Sequence, residues 1–577
     1  MNSKPCNYDS IEDARIKRLC QNTVDSEVFA ACFYGPKTYG YANEYADVNI
    51  LFIASQYSRN INNFKKQMDH TNLSILVIDK KVFESDVNDG QLGESISEIM
   101  ILPYRPWINP RYLEKMEVRT KKRLVLELLR NVILQYPELS TELLIKPEFF
   151  MYEAIRRRTK LFPPKTYGFL NVFNAKTRKQ NTAFIMKGYL KALRELEKEN
   201  SVVLSNGYIK IDKDFIQATK RQRNKLSTIQ TSMYKALLPY IRGIRSRVST
   251  AFLQDQRILA KTIHSKVKRN LFNDLDEAER HLLMPTPLGP VSLSDKTDIQ
   301  DFVRKTVPGG ENLNMSIEQM GGVLNSVFLL HLQKNHETQK IVVKKFEDWL
   351  GFKWLPLALW TFGTQSFAVL GQSRLEREYA INQFLKKNGF TVPRIRYVSL
   401  KKRLIFEDFV AGEKISEVVK RIIASSRKNG YTRNNQIIQA VGKEIAKVHS
   451  IGVSIGDCKP ENLLYLKDGK VCFLDLEQGT RDGNQPWDIA EFLYYSGHYI
   501  LPIHSDQSAR TIASSFIEGY LNSGGKGEII INAASPKYTK VFSVFTLPHI
   551  ILIMATLCKK LGQKRINEEV HSVGPSG

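Results

Sequence analysis

The chain has 577 residues, with 84 Lys and Arg against 59 Asp and Glu, a formal net charge of +25. Its 42% hydrophobic and 25% charged residues exclude wholesale disorder and collagen-like or low-complexity repeats. The length excludes a single small module and allows roughly three to five domains. The positive excess points to an anionic partner or to a general solubility bias, and its distribution separates the two. Six cysteines (Cys6, Cys20, Cys32, Cys458, Cys472, Cys558) form no CxxC pair, and the opening MNSKPCNYDS lacks the apolar core of a signal peptide. A cytoplasmic location with reduced thiols is therefore expected.

Near the start, Phe33-Tyr34-Gly35-Pro36 is followed by Glu44-Tyr45-Ala46-Asp47-Val48-Asn49 and an apolar run to Ile53, then by a second apolar strand from Leu73 to Asp79. Carboxylates two residues apart on a strand share a face and can bind metal ions around a triphosphate. The pattern resembles the polymerase-β-type nucleotidyltransferase fold, with Gly35, Asp47, Asn49 and Asp79 as the matching positions. It departs twice: Pro36 stands where the family has a phosphate-holding Ser, and Asn49 where it has the second Asp. Asn49 keeps a ligand oxygen but loses a full charge, so a Mg²⁺ pair would be poorly neutralised. The expectation is a degenerate domain that binds nucleotide or RNA without catalysis. An active enzyme using Asp47 and Asp79, and an unrelated α/β domain, are the other readings.

A largely helical segment from about Tyr112 to Lys160 comes next, then the helical pattern Ile185–Leu196. Val202-Val203-Leu204, the turn pair Asn206-Gly207 and Tyr208-Ile209-Lys210-Ile211 predict a hairpin with a type I′ turn. Helix plus hairpin reads as a winged-helix-like module. Glu195, Glu197 and Glu199 argue against major-groove reading, and a structural or protein-contact role is at least as well supported. Between Lys220 and Arg269 there are thirteen bases and one acid, Asp255, so +12 of the net charge falls within 50 residues. Leu226, Ile229, Met233, Leu237 and Ile241 recur at helical spacing, which predicts one packed face and one positive face. A solvated linker, an RNA-contacting surface and an acidic-membrane contact are the three readings; sparse aromatics argue against base stacking.

The segment from Val448 to Leu464 carries Asp457-Cys458-Lys459-Pro460-Glu461-Asn462, and thirteen residues after Asn462 an apolar strand ends in Asp475. A carboxylate, an Asn and a second carboxylate form the set that phosphoryl transfer requires: Asp457 to orient or deprotonate an acceptor hydroxyl, Asn462 and Asp475 to hold Mg²⁺ on the phosphates of ATP. The motif resembles the catalytic loop of the protein kinase superfamily, with Asp475 in place of the DFG aspartate. That resemblance implies catalytic roles for Asp457, Lys459 and Lys344, the last closing the strand Ile341-Val342-Val343-Lys344, with Glu378 as its ion-pair partner. Lys345 and Glu376 are rival choices, and alternation allows only one of the two lysines to face a nucleotide. Gly321 and Gly322 lie where a phosphate-covering loop belongs, and the strand Leu404–Phe409 would hold adenine through the backbone around Glu407.

The catalytic loop opens Ile455-Gly456-Asp457, the metal segment reads Asp475-Leu476-Glu477-Gln478, and only twelve residues separate Asp475 from Asp488. These details, with Trp487-Asp488-Ile489-Ala490-Glu491-Phe492, resemble the atypical RIO kinases and the small kinase of the KEOPS tRNA-modification complex. The resemblance spans roughly residues 310 to 530. It implies ATP- and Mg²⁺-dependent phosphorylation of Ser or Thr, or ATP hydrolysis coupled to RNA-related assemblies, with a protein substrate or such an assembly as partner. Aminoglycoside-phosphotransferase-type kinases look similar at the same positions, which keeps a small-molecule acceptor open. The apolar run Val541–Cys558 reads as a buried helix or as a membrane or interfacial anchor, and Trp354–Ser373 as packing or docking surface. The expected chain is thus a multidomain α+β protein: a nucleotidyltransferase-like α/β domain over 1–111, a helical segment over 112–164, the winged-helix-like module over 165–217, the basic helical connector over 218–300 and a bilobal protein-kinase-like domain over 301–577.

Overall fold

The computed structural model describes residues 26–40, 47–68, 71–92, 94, 96–161, 172–173, 176–222, 278–306, 314–320, 326–334, 337–348, 367–368, 370–424, 431–501 and 506–572. The chain divides into two compact α+β units, Met1–Leu283 and Met284–Gly577. The basic segment beyond Gln222, the pair Gly321-Gly322, Glu44-Tyr45-Ala46, Cys6, Cys20 and most of Trp354–Ser373 lie outside the described residues.

In the first unit, β1 (Val28–Tyr34), β2 (Val48–Ala54), β3 (Ile61–Met68), β4 (Thr71–Asp79) and β5 (Arg105–Ile108) form one sheet in the order β3-β4-β2-β1-β5. Only β2 and β4 run parallel; the other neighbours are antiparallel. The central strands are apolar without a break because both faces are covered. Ala30, Cys32, Leu51, Ile53, Leu76 and Ile78 pack on one side, Ala31, Phe33, Ile50, Phe52, Ile75 and Val77 on the other. After the short α1 (Pro36–Tyr39) come α2 (Lys80–Asp89), α3 (Pro110–Gln135), α4 (Glu148–Leu161), α5 (Arg178–Lys198) and α6 (Lys213–Gln222). The predicted helical stretch from 112 to 160 is thus two helices, separated by β6 (Leu144–Ile145) and a short 3₁₀ turn. The hairpin of β7 (Val202–Ser205) and β8 (Tyr208–Ile211) turns through Asn206 and Gly207, both at positive φ (50° and 78°), as a type I′ turn demands. It is more than a two-stranded wing: β8 also pairs with β6, which pairs with β9 (Leu282–Met284).

The second unit begins with the short strand β10 (Val291–Ser292) and helix α7 (Ile299–Thr306). Its antiparallel sheet joins β11 (Asn314–Gln319), β12 (Ser326–Lys334), β13 (Glu337–Lys345), β14 (Ile395–Ser399) and β15 (Leu404–Asp408) in the order β11-β12-β13-β15-β14. Ile341, Val343, Leu404 and Phe406 pack with Phe302 and Val303 of α7 on one face. Strand alternation therefore assigns Val342, Lys344, Ile405 and Glu407 to the opposite face, and Lys344 and Glu407 there contact α8 (Gly371–Lys387) or each other.

The remainder is mostly helical. It contains α9 (Ile415–Ala424), α10 (Tyr431–Ser450), α11 (Gln485–His498), α12 (Asp506–Leu521), α13 (Gly527–Ala533), α14 (Pro536–Phe542) and α15 (Pro548–Ser572). Two small sheets frame the functional loops: β16 (Glu413–Lys414) with β18 (Leu463–Tyr465) and β19 (Val471–Phe473), and β17 (Val453–Ser454) with β20 (Thr480–Arg481). Helices α10 and α12 cross closely because Gly442 and Gly519 carry no Cβ; one built on Gly442 would lie 2.1 Å from the Phe516 carbonyl oxygen. The run Val541–Cys558 is not one helix. It breaks after Phe542, and Pro548, which lacks an N–H, starts the next helix at a position where none is needed. Ile550, Met554 and Cys558 of α15 are buried, while Val544 and Leu552 are exposed, and no helix among the described residues is long and apolar enough to cross a membrane.

Candidate active site

Lys344 is the penultimate residue of β13, and its ammonium has three neighbours: Glu378 Oε1 at 2.7 Å, the Leu474 carbonyl oxygen at 2.5 Å and Glu407 Oε1 at 3.3 Å. Glu378 comes from α8 and is fully buried; its second oxygen accepts the Leu476 N–H at 2.6 Å. One carboxylate thus joins the strand lysine to the segment that starts at Asp475. Lys345, on the other face, is about half exposed and pairs with Glu347, and Glu376 accepts from Gln372 one turn away, so Glu378 is the residue seen paired with Lys344.

Burial opposes the charge of Lys344, but Glu378, Glu407 and Asp475 outweigh it and hold the ammonium well above the usual lysine range. Burial pushes Glu378 up to about 7 against the pull of Lys344, and raises Glu407 and Asp475 in the same direction. Burial is the main cause of the three carboxyl shifts, and repulsion from neighbouring carboxylates adds to it.

The loop with Asp457 hangs from α11. Asp488 accepts the N–H groups of Ile455 and Gly456, each at 2.7 Å, and its Oδ2 lies 3.0 Å from His449 Nε2. Glu491, three residues on, accepts the Cys458 N–H at 2.7 Å, and Trp487 Nε1 donates to both the Gly456 carbonyl and Glu491 at 3.1 Å. Gly456 has φ 78°, and a Cβ there would lie 2.3 Å from the Gln478 carbonyl oxygen, so the turn into Asp457 requires glycine. Lys459 Nζ sits 2.7 Å from Asp457 Oδ1. Asn462 donates through Nδ2 to the Asp457 carbonyl at 3.1 Å, which leaves its oxygen available to a cation. The Leu474 N–H donates to the Asn462 carbonyl at 2.9 Å, which sets Asp475 beside Asn462.

Among the described residues no three His, Cys, Asp or Glu side chains form a metal-holding group. Asn462 and Asp475 are hard oxygen donors on adjoining segments, which suits Mg²⁺, an ion that keeps waters and substrate phosphates as its other ligands.

Three groups of residues that the motif pattern did not single out for these roles complete the site. Arg374 and Glu477 form a fully buried two-pronged ion pair at 2.7 and 2.8 Å, and Arg374 also donates to the Glu347 carbonyl. Gln478 exchanges two hydrogen bonds with the backbone of Ala368. Asp488, Glu491 and Trp487 form the third. Arg374 stands one helical turn before Glu378 and Glu477 two residues after Asp475; that spacing was the available signal.

In the first unit Gly35 has φ 87°, and the Asn49 side chain lies against it, with Nδ2 2.3 Å from where a Cβ would stand. Asp47 immediately precedes β2. Asp79 stands apart from the other three positions. It ends β4 opposite Ala54, while Asn49 lies opposite Ser74; five residues at about 3.3 Å separate the two levels, about 16 Å. Asp79 instead caps α2, accepting from Lys81 N–H at 2.8 Å and Tyr57 N–H at 3.0 Å. The neighbouring-strand position beside Asn49 holds a serine, so Asp47 has no carboxylate partner at that level of β2 and β4.

Known proteins similar to this chain match it in the second unit. The sequence model of the lipopolysaccharide kinase (Kdo/WaaP) family matches residues 361–492, which include Glu378, Glu407, Asp457, Asn462 and Asp475. The chain is 29% identical over 106 residues to KEOPS complex subunit Bud32 of Pyrococcus abyssi, covering 18% of this chain and 44% of that protein. It is 26% identical over 157 residues to a probable bifunctional tRNA threonylcarbamoyladenosine biosynthesis protein of Methanobrevibacter smithii, covering 27% of this chain and 26% of that protein. A probable serine/threonine-protein kinase BUD32 homolog of Archaeoglobus fulgidus is 25% identical over 175 residues, 29% of this chain and 84% of that protein. The match thus spans less than half the length of the first two relatives. The C-terminal region is thus similar to atypical kinases of the Bud32 type, and residues 361–492 match the model of the Kdo/WaaP kinase family.

Proposed function

We propose that the C-terminal unit is an ATP- and Mg²⁺-dependent phosphotransferase, acting as an atypical Ser/Thr protein kinase. The observation that carries this reading is the convergence of Lys344, Glu378 and the Asp475 segment within hydrogen-bond reach, beside a loop that presents Asp457 and Lys459. Lys344, oriented by Glu378, donates to the nucleotide phosphates. Asp457 orients the acceptor hydroxyl and takes its proton, and Lys459 beside it balances the charge that develops. Asn462 and Asp475 hold Mg²⁺, which when bound neutralises the phosphates in transfer. Gly321 and Gly322 cover the phosphates, and the strand around Glu407 borders the base. Arg374 and Glu477 keep α8 against the Asp475 segment.

The names of the relatives support an RNA-related assembly as partner: one is a subunit of the KEOPS complex, another a tRNA threonylcarbamoyladenosine biosynthesis protein. We further propose that residues 1–111 form a degenerate nucleotidyltransferase-like domain, that 112–164 is a helical segment and 165–217 a winged-helix-like module with a structural or protein-contact role, and that the basic connector over 218–300 contacts RNA through 220–269, in a cytoplasmic protein. A second reading has one specific support, the match to a lipopolysaccharide kinase family: the acceptor is then a sugar hydroxyl of a small molecule or lipid.

Transfer from γ-labelled ATP with Mg²⁺ tests the first reading. Asp475→Asn and Asp457→Asn are each expected to lower the rate by at least about 10²-fold. Parent-like rates in both variants would sink the assignment, and mass spectrometry of the labelled product separates a protein acceptor from a sugar.

A further inference from the structure

Glu407 is 3% exposed, and its two oxygens differ. Oε1 lies 3.3 Å from Lys344 Nζ, whereas Oε2 has no hydrogen-bond partner among the described residues. A buried acceptor left unsatisfied costs about 1–3 kcal/mol, so a carboxylate kept in this state points to a donor supplied from outside the chain. The next residue, Asp408, is already engaged by Arg396 and does not share the role.

Strand register says which part of a ligand would meet Glu407. Lys344 pairs with Val327 of β12 and Ile405 of β15, at the end of the sheet where β11 and β12 connect. Val342 pairs with Leu329 and Glu407, two residues farther from that connection and closer to the crossing into β16. A nucleotide with its phosphates at Lys344 and the Asp475 segment therefore extends its base along the inner face of β15 towards Glu407, a step of two residues or about 6–7 Å along the strand.

We propose that the side-chain carboxylate of Glu407, rather than the backbone of its strand alone, reads the base, accepting a hydrogen bond from the exocyclic amino group of adenine and rejecting purines with an oxo group there. Burial raises the Glu407 carboxyl while Lys344, 3.3 Å away, pulls it the other way, and in its ionised form the carboxylate is an acceptor only. A 6-amino group satisfies it. A 6-oxo group faces it acceptor to acceptor, so the preference arises from repulsion as well as attraction. This rests on the nucleotide-binding reading and adds to it a residue that determines specificity.

The test is equilibrium binding of ATP and of inosine triphosphate, with Mg²⁺, to the full chain and to its Glu407→Gln and Glu407→Leu variants. The parent is expected to hold ATP at least about tenfold more tightly than inosine triphosphate. In Glu407→Gln, whose amide can donate as well as accept, the ratio is expected to fall to within about threefold, and in Glu407→Leu the preference disappears. Because each ratio is read within one protein, a general loss of affinity cancels. Binding of both triphosphates with the same ratio in parent and variants overturns the role of Glu407 alone. No binding of either by the parent overturns the nucleotide site and this inference with it.

Discussion

The inner edge of β2 and β4 in the first unit and the cleft between β13, α8 and the Asp475 segment in the second both place polar groups on a strand face. They differ in how charge is kept. At the start of β2 and beside it on β4 the series is Asp47, Asn49 and Ser74, with a single carboxylate, while Asp79 at the far end of β4 serves as a helix cap. In the cleft, Glu378, Glu407 and Asp475 surround Lys344, and all three carboxyls are pushed upward by burial. Three ionised carboxylates and one ammonium leave a formal charge of −2. Burying unpaired charge costs several kcal/mol per ion, so the cleft is electrostatically incomplete without a divalent cation or retained protons, whereas the β2–β4 edge makes no such demand.

The largest effect is expected at the buried pair. Arg374→Met strands the Glu477 charge and should lower unfolding stability by about 3–5 kcal/mol, while Arg374→Met with Glu477→Met together should recover most of it. Urea denaturation of the single and double variants reads this directly, and a single variant as stable as the parent would show that the pair does not hold the cleft. The next effect is a pH dependence. Glu378 rises from an ordinary 4.5 to about 7 in the folded chain, which then binds more protons than the unfolded one between those values. Stability from this group is therefore fullest below about pH 4.5 and is lost as pH rises through about 7, by up to ~3 kcal/mol. The difference between the parent and Glu378→Gln, measured from pH 5 to 7.5, should carry that slope; a flat difference would contradict it. The smallest effect belongs to the first unit. Asp47→Asn should change stability by less than about 0.5 kcal/mol and leave phosphate transfer unaltered, and a marked loss of transfer would mean that the β2 edge contributes to the chemistry.

Much of the cleft was legible in the chain. Asp457, Asn462 and Asp475 are separated by one turn and one short hairpin, so spacing alone brings them together. Lys344 and Lys345 could be assigned to opposite faces by alternation, but which face meets α8 depends on Phe302 and Val303 covering the other, contacts made by a helix about 40 residues earlier. Arg374 and Glu477 are 103 residues apart, and beyond their spacing from Glu378 and Asp475 nothing local in either segment announces the pair. The place of Asp79 is non-local for a related reason: a carboxylate at the end of an apolar strand is visible in the chain, but its level in the sheet is set by the parallel register with β2, which places Ser74 beside Asn49. The Val541–Cys558 run carried its own warning in Pro548, where one helix yields to the next.

Trp487 gives the cleft an optical handle. Its ring is 2% exposed, stands edge-on to Phe367 and tilts against Phe542, while its N–H is shared between Gly456 and Glu491. The indole is thus an emitter bonded to the turn that delivers Asp457. With the other four tryptophans replaced by Phe, the colour of its fluorescence reports on that turn alone, and loosening of the loop shifts the light to the red as water reaches the ring.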